Sequence, residues 1–318
     1  LGLTIVGVGG SMLLLGFAHN YWMAMVSLIL LSMTITFWHP PAIAALSARY
    51  ADRRGFAIAM HGMGGNIGEA VGPILTGFLI GFMLWRDVLK LSFIPALVIG
   101  VGIYVLLRTI PSRSGSTSGR EYFGGVKAAL RNKNLLLVLT ATAFFSGSQI
   151  AIMSFLPIYA REDLALSTVA TGALVSLLQV AGIASSPVLG HFSDQLGRRV
   201  VLLLGFGGLA LGSLMLFLTG DGPLFYLAIA VTGLFLFPMM SILLAAAMDV
   251  VGDGVQGTTV SLVFGVSIIL AAGSGWLAGR IADIYGVDAV FLYASVPAGA
   301  AFILTLFGSK RRAVPNTG

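Results

Sequence analysis

The sequence has no cysteine and very little charge. Only 9% of its 318 residues are charged and 57% are hydrophobic, whereas a soluble domain carries about 25% charged residues. A chain so poor in charge cannot cover a water-facing surface. The lack of cysteine excludes a disulfide framework and a thiolate metal site. The composition therefore indicates a membrane protein.

The apolar residues fall into long runs separated by short polar breaks. Each run has about 17–25 residues, which is the length of a helix that crosses ~30 Å of hydrocarbon at ~1.5 Å per residue. The sequence lacks the alternating ~10-residue segments of a membrane β-barrel. We therefore expect an all-α, polytopic bundle of membrane helices. Its predicted spans are residues 1–17, 22–46, 57–83, 88–107, 135–159, 168–189, 200–218, 224–248, 258–279 and 290–307.

The longest polar stretch, Pro111 to Asn134, separates four spans from six. It is rich in serine, glycine and basic residues, as a connecting loop is. We predict a partial helix bundle over residues 1–110, a cytoplasmic central loop over 111–134 and a six-helix bundle over 135–318. Because the chain begins with Leu1 inside an apolar run, we also expect it to be a fragment.

The basic residues are distributed unevenly between the two sides of the membrane. If residue 1 lies at the cytoplasmic face, only Arg86, Lys90, Arg161 and Arg280 fall on the outer side, which leaves 14 of the 18 Lys and Arg residues inside. This bias is what the positive-inside rule requires. It predicts a cytoplasmic C-terminus in the inner (plasma) membrane. Since the net charge of +6 belongs to these loops, we expect no nucleic-acid partner.

A ten-residue turn, residues 190–199, joins the spans 168–189 and 200–218 and is called the signature turn below. Its pattern G-x-x-x-D-x-x-G-R-R consists of Gly190, Asp194, Gly197, Arg198 and Arg199. The glycines allow two helix ends to approach closely. Asp194 can pair with an arginine or with a helix N-terminus, and such a contact can break in a conformational change. The alternative is an ordinary turn with basic anchors.

This pattern resembles the signature of the major facilitator superfamily. In that family twelve helices form two six-helix halves, and each half has the signature after its second helix. The resemblance implies that about ten of the twelve helices are present here, as helices three to twelve, and that the N-terminal two are missing. It implies a secondary active transporter that works by alternating access on small molecules without a cofactor. We expect a monomer in the lipid bilayer.

A narrower resemblance rests on two neighbouring segments. His39-Pro40 is followed by the pattern G-G-N-x-G-x-x-x-G-P from Gly64 to Pro73. Both are similar to the fosmidomycin-resistance-like branch of drug exporters. This resemblance implies proton-coupled export of small amphipathic molecules or drugs. One departure is that span 22–46 lacks the arginine that many proton-coupled drug exporters carry in the corresponding helix.

Glu69 is the acidic residue placed in the middle of a span. A carboxylate at that depth is costly and usually faces a cavity or marks an ion path. Glu69 is therefore a candidate proton carrier, or else a protonated carboxyl group bonded to a neighbouring helix. His39 and His61 titrate near neutral pH and are candidate relays, or histidines satisfied by water or a carbonyl group. The spacing of the histidines predicts no metal site.

Three amides are candidates for the substrate cavity. At ~100° per residue, Asn66 shares one side of its helix with Glu69. Gln149 and Gln179 are isolated amides in two later spans, where they can bind substrate or connect helices. On the adjoining face, Gly64, Gly68 and Gly72 recur every four residues before Pro73 and predict a seam for close helix packing.

Other functions compete with drug export. Proton-coupled uptake of a metabolite uses the same fold, and fold does not decide function. A membrane-embedded enzyme would need paired carboxylates, an H-E-x-x-H metal motif or a nucleophile with a base. Glu69 has no second carboxylate within the spans, so we expect no enzyme. A non-transporting receptor or scaffold is the third alternative.

Overall fold

A computed structural model of the chain describes residues 1–49, 54–108, 131–251 and 256–307, together with Gly124 and Val126. Within these residues the chain forms twelve α-helices and no strand, which confirms the predicted all-α class. They are α1 Gly2–Gly16, α2 Tyr21–Arg49, α3 Arg54–Ile80, α4 Trp85–Leu91, α5 Phe93–Leu107, α6 Lys133–Glu162, α7 Thr168–Leu196, α8 Arg198–Thr219, α9 Pro223–Leu236, α10 Pro238–Asp249, α11 Gln256–Tyr285 and α12 Ala289–Leu306.

The described helices account for each predicted span. Eight segments are long and apolar enough to cross a membrane, and two shorter apolar helices, Gly2–Gly16 and Ile67–Ile80, lie in the first and third predicted spans. The predicted central loop, Pro111–Asn134, lies outside the described residues except for Gly124, Val126 and 131–134. The chain is thus a multi-pass membrane protein.

Two predicted spans are broken. Helices α4 and α5 meet at Ser92, and α9 and α10 meet at Phe237. Proline explains both breaks, because it has no N–H to donate to the carbonyl four residues before it and its ring clashes there. Pro95 lies in the first turn of α5, and Pro238 begins α10. Each pair of helices still forms one apolar segment long enough to cross a membrane, Trp85–Leu107 and Pro223–Asp249.

The chain divides into two compact units, residues 1–116 and 117–318. In the first unit, α1 packs on α5 through a line of glycines seven residues apart. A Cβ added at Gly2 would lie 2.5 Å from the carbonyl oxygen of Gly100, and one added at Gly9 would lie 2.5 Å from the Cβ of Ala96. A Cβ added at Gly16 would lie 2.8 Å from the carbonyl oxygen of Arg86 in α4. Only glycine permits this spacing between the helices.

The core of the second unit lies among α6, α8, α9 and α12. The side chains of Phe145, Phe206, Phe225 and Phe291 are fully buried in it. Because lipid is as apolar as a protein core, membrane helices associate through close packing and interhelical hydrogen bonds. Two such bonds join α6 to its neighbours. Their donors are the hydroxyls of Ser148, to the Ala294 carbonyl at 2.8 Å, and Ser274, to the Gly147 carbonyl at 2.7 Å.

Polar contacts also mark the two ends of the second unit. At one end, Asn132 caps the start of α6 and donates its amide to the Val250 carbonyl, at 2.7 Å, just after α10. At the other end, the hydroxyl of Tyr159 near the end of α6 donates to the Gly220 carbonyl, at 3.2 Å, just after α8. Consecutive crossings in this unit therefore run in opposite directions.

Candidate functional site

The signature turn reverses the chain between α7 and α8 in one residue. Helix α7 ends at Leu196 and α8 begins at Arg198, with Gly197 between them at φ +91°. Residues other than glycine rarely adopt this backbone conformation, so glycine is required there. The reversal brings Asp194, on the last turn of α7, beside Arg198, on the first turn of α8.

Arg198 is the centre of a polar network. Its guanidinium pairs with Asp194 and donates to the hydroxyl of Ser193 at 3.0 Å. It also donates through Nε to Oδ2 of Asp249, at 3.0 Å, on the last residue of α10. Sequence reasoning anticipated the pairing of Asp194 with an arginine but missed Asp249, which is 51 residues away from Arg198 along the chain.

Arg199 makes a separate connection. Its guanidinium donates to the carbonyl of Thr305 at 3.1 Å and to the carbonyl of Leu306, the last residue of α12. Carbonyl groups at a helix C-terminus lack partners within the helix, and the helix dipole makes that end negative. The five residues Ser193, Asp194, Arg198, Arg199 and Asp249, called the arginine clamp below, thus connect α7, α8, α10 and α12.

Arg198 requires carboxylate partners because of its position, although each of its ion pairs is weak. An arginine at the positive end of a helix dipole is unfavourable, and Asp194 and Asp249 offset that charge beside Arg198. Both carboxylates are more than half exposed, and exposed ion pairs contribute about 0–1 kcal/mol each. The geometry therefore suits a contact that forms in one state and separates in another.

The predicted polar residues of the first unit lie on α2 and α3. Glu69 is exposed on α3 and has no hydrogen-bond or ion-pair partner among the described residues. The ring of His61 stacks on Trp38 of α2, with ring centroids 6.1 Å apart and planes at 29°. His39 lies in α2 and Asn66 in α3, but their side chains lie outside the described part of the chain.

The predicted glycine seam of α3 contacts no other described helix. In the described part of the chain, no atom lies within 4 Å of a Cβ added at Gly64, Gly68 or Gly72. Pro73 follows within the same helix. Helix packing along this seam stays a prediction, whereas the close glycine contacts of this unit lie on α1.

The structure places the two glutamines of the second unit differently. Gln149 of α6 is half-buried and lines an open cavity of about 240 Å³ between α6, α10 and α11. Gln179 of α7 is only 4% exposed and does not line that cavity. The other polar residues of the cavity wall are Ser146 and Ser267, which were not predicted because serine is common in apolar helices.

The end of the second unit opposite the clamp is acidic. Burial, followed by the negative charges of Asp288 and Glu162, raises the pKa of Asp163 above its ordinary value.

Within the described ranges, no three histidine, aspartate or glutamate side chains come together as a metal site would require.

The sequence pattern as a whole matches a known family. The family model of the Major Facilitator Superfamily aligns with residues 1–272. The chain belongs to the major facilitator superfamily. This confirms the resemblance drawn from the signature turn. Members of this superfamily are transporters and not enzymes, so the chain belongs to a family of transport proteins.

Curated relatives of this chain include a drug-resistance protein. The chain is 31% identical over 210 residues to "Multidrug resistance protein MdtG" of Escherichia coli, both in strain SMS-3-5 / SECEC and in strain K12 / DH10B. The aligned region is 63% of this chain and 50% of the relative. The chain thus spans about half the length of the curated relatives it matches.

Solved structures of the superfamily share the fold. A variant of the E. coli fucose:proton symporter FucP superposes with a TM-score of 0.67 at 14% identity, covering 98% of this chain and 82% of FucP. A bacterial homologue of the human lysosomal transporter Spinster, captured inward-facing and occupied, superposes with a TM-score of 0.68 at 14% identity, covering 96% and 81%. At such identities the likeness establishes the fold alone.

Proposed function

We propose that this superfamily member exports small amphipathic molecules or drugs by proton-coupled secondary active transport with alternating access. The observation that carries the proposal is the 31% identity to the multidrug resistance protein MdtG over 63% of the chain. Export as the direction of transport and the proton as coupling ion belong to this proposal.

Three features support the proposal. The arginine clamp ties the ends of α7, α8 and α10 through exposed ion pairs, which a change of state can break at low cost. It holds the end of α12 through hydrogen bonds from Arg199. Glu69 supplies a carboxylate in the middle of a membrane helix, with His39 and His61 as further candidates for proton transfer. Asn66, Gln149 and Gln179 are the candidates for contact with substrate.

Proton-coupled uptake is the second candidate. It is favoured by the likeness to FucP, a fucose:proton symporter. Since FucP is 14% identical to this chain, the likeness carries the fold and little about substrate. Export therefore remains the preferred direction.

The proposed placement is the inner (plasma) membrane, as a monomer with a cytoplasmic C-terminus. The bias of 14 among 18 basic residues supports that orientation. It assigns the arginine clamp to the cytoplasmic side, since Arg198 and Arg199 belong to the larger group of basic residues.

Imposed proton gradients distinguish the two directions. A susceptibility screen of cells with and without the complete gene first identifies a transported drug. The protein encoded by that gene is then purified and reconstituted in vesicles. Antiport predicts that the drug accumulates in vesicles that are acidic inside, because protons leave as the drug enters. Accumulation only in vesicles in acidic medium would establish symport, and accumulation independent of pH would exclude proton coupling.

A further inference from the structure

The cavity between α6, α10 and α11 combines a small volume with unused hydrogen-bonding groups. We propose that it binds an uncharged, aromatic part of the transported molecule, with Ser146, Gln149 and Ser267 as its polar contacts. This proposal rests on the proposed function, because it assigns a chemical class to one part of the substrate.

The polar groups of the wall are available to a ligand. Ser146 is 4% exposed, and its Oγ has no hydrogen-bond partner in the described part of the chain. A buried hydroxyl without a partner costs free energy that a ligand can recover. Gln149 lies three residues further on α6, on the same face, and its carboxamide both donates and accepts. Ser267 donates to the Val263 carbonyl at 2.8 Å, so its oxygen can still accept.

The rest of the wall is apolar and uncharged. Met153 and Met240 contribute thioethers, which adapt to irregular shapes and contact aromatic rings favourably. Ile150 and Ile268 complete the apolar lining. No lining residue is ionisable, so a charged group placed here would lose its hydration without a counter-charge. The wall therefore selects against an ion.

The volume sets the size of the bound group. An apolar cavity of about 150 Å³ holds benzene, so about 240 Å³ is enough for a substituted aromatic ring. Pockets that enclose a whole drug measure about 300–1,000 Å³. The cavity therefore holds one part of an amphipathic molecule.

The absence of cysteine from this chain allows the cavity to be probed with a single introduced thiol. Ala271 of α11 lines the cavity, whereas its neighbour Ala272 does not. The reporters are the variants Ala271→Cys and Ala272→Cys, made in the product of the complete gene. The measurement is the rate of alkylation by N-ethylmaleimide in reconstituted membranes.

Two probes separate the ligand classes. Chloramphenicol is uncharged and has an aryl ring with hydroxyl and amide groups, whereas tetraethylammonium is a cation without an aromatic ring. At about ten times its dissociation constant, chloramphenicol occupies about nine-tenths of the sites and should slow alkylation of Ala271→Cys about tenfold. Tetraethylammonium should leave that rate unchanged, and neither probe should affect Ala272→Cys.

Substitutions in the wall test the polar contacts. In the Ala271→Cys background, Ser146→Ala or Gln149→Leu should raise the chloramphenicol concentration that halves the alkylation rate. The expected increase is about three- to tenfold, which is the loss of affinity that removal of one hydrogen bond causes. Ser176→Ala is the matched control. It removes another buried hydroxyl without a partner in the described residues, but one that does not line the cavity, and it should leave protection unchanged.

The outcomes separate this proposal from the proposed function. Absent protection, equal protection by the cation, or equal loss with Ser176→Ala would overturn the binding site even if proton-driven transport is normal. Protection with the predicted pattern in a protein that shows no proton-driven transport would uphold the site and overturn the proposed function.

Discussion

At the scale of single residues, Arg198 shows how the signature turn works. It is shared by two carboxylates from different helices, Asp194 of α7 and Asp249 of α10. Because both pairs are solvent-exposed, each contributes about 1 kcal/mol or less. Removing one pair should therefore shift the balance between states without unfolding the unit.

Asp194→Asn is expected to lower the transport rate about two- to fivefold, the population shift that one exposed pair can produce. Substrate binding should change little, because Asp194 contacts Arg198 and lies outside the proposed cavity. Equilibrium binding and initial transport rates in reconstituted vesicles measure the two effects.

Asp249→Asn should reproduce this phenotype, since Asp249 bonds the same guanidinium. Asp221→Asn is the control, because Asp221 is exposed and belongs to no ion pair among the described residues. Loss of substrate binding by Asp194→Asn with normal interconversion of states would argue against the role of the clamp.

At the scale of the helices, the packing of α1 on α5 depends on Gly9. Gly9→Val would add a branched side chain at a position where even a single Cβ atom would lie 2.5 Å from the Cβ of Ala96. Such overpacking typically costs about 1–3 kcal/mol. We expect a lower melting temperature for this variant, measured by size-exclusion chromatography of heated, detergent-solubilised protein.

Gly10→Val is the matched control, because no atom in the described residues lies within 4 Å of a Cβ added at Gly10. It introduces the same side chain one position along the same helix. Equal melting temperatures for the two valine variants would show that α1 is not held by this glycine contact.

The existence of the helices could be predicted from the sequence, but not which of their prolines break a helix, since Pro73, Pro157, Pro187 and Pro297 lie inside unbroken ones, nor which helices touch. A span is recognisable because its apolar length is a property of one continuous segment. The breaks at Ser92 and Phe237 leave the segment apolar, so hydropathy does not reveal them. Spacing identified a glycine seam on α3, yet the close contacts involve α1, because only the neighbouring helix determines which glycines are approached.

The candidate site was predictable to a similar extent. The signature turn was identified because its residues are consecutive and their spacing is specific. Asp249 was missed because its pairing with Arg198 depends on how α10 packs beside α8. Ser146, Met240 and Ser267 come from three helices, and nothing in the sequence marks their convergence on one cavity.

At the scale of the whole molecule, the distribution of basic residues predicts the topology. A reporter enzyme that is active only outside the cytoplasm, fused after Lys310, should be silent, because the positive-inside rule assigns this end to the cytoplasm. The same reporter inserted after Met83, between α3 and α4, should be active and is the control. Activity after Lys310 would overturn the proposed orientation.

Proton coupling by Glu69 connects the residue to the activity of the whole transporter. Glu69→Gln retains the shape and hydrogen bonding of the side chain but cannot ionise. Glu69→Asp keeps the charge with a shorter reach and should retain partial activity. Glu162→Gln, at the end of α6, changes an exposed carboxyl group in the same way and should have no effect.

The most direct test compares two activities of Glu69→Gln in the same vesicles. One is accumulation of the drug against its gradient, driven by an imposed proton gradient, and the other is downhill exchange of the drug without one. Proton-coupled export through Glu69 predicts that accumulation is lost while exchange continues near the wild-type rate. Accumulation at the wild-type level in Glu69→Gln would contradict it.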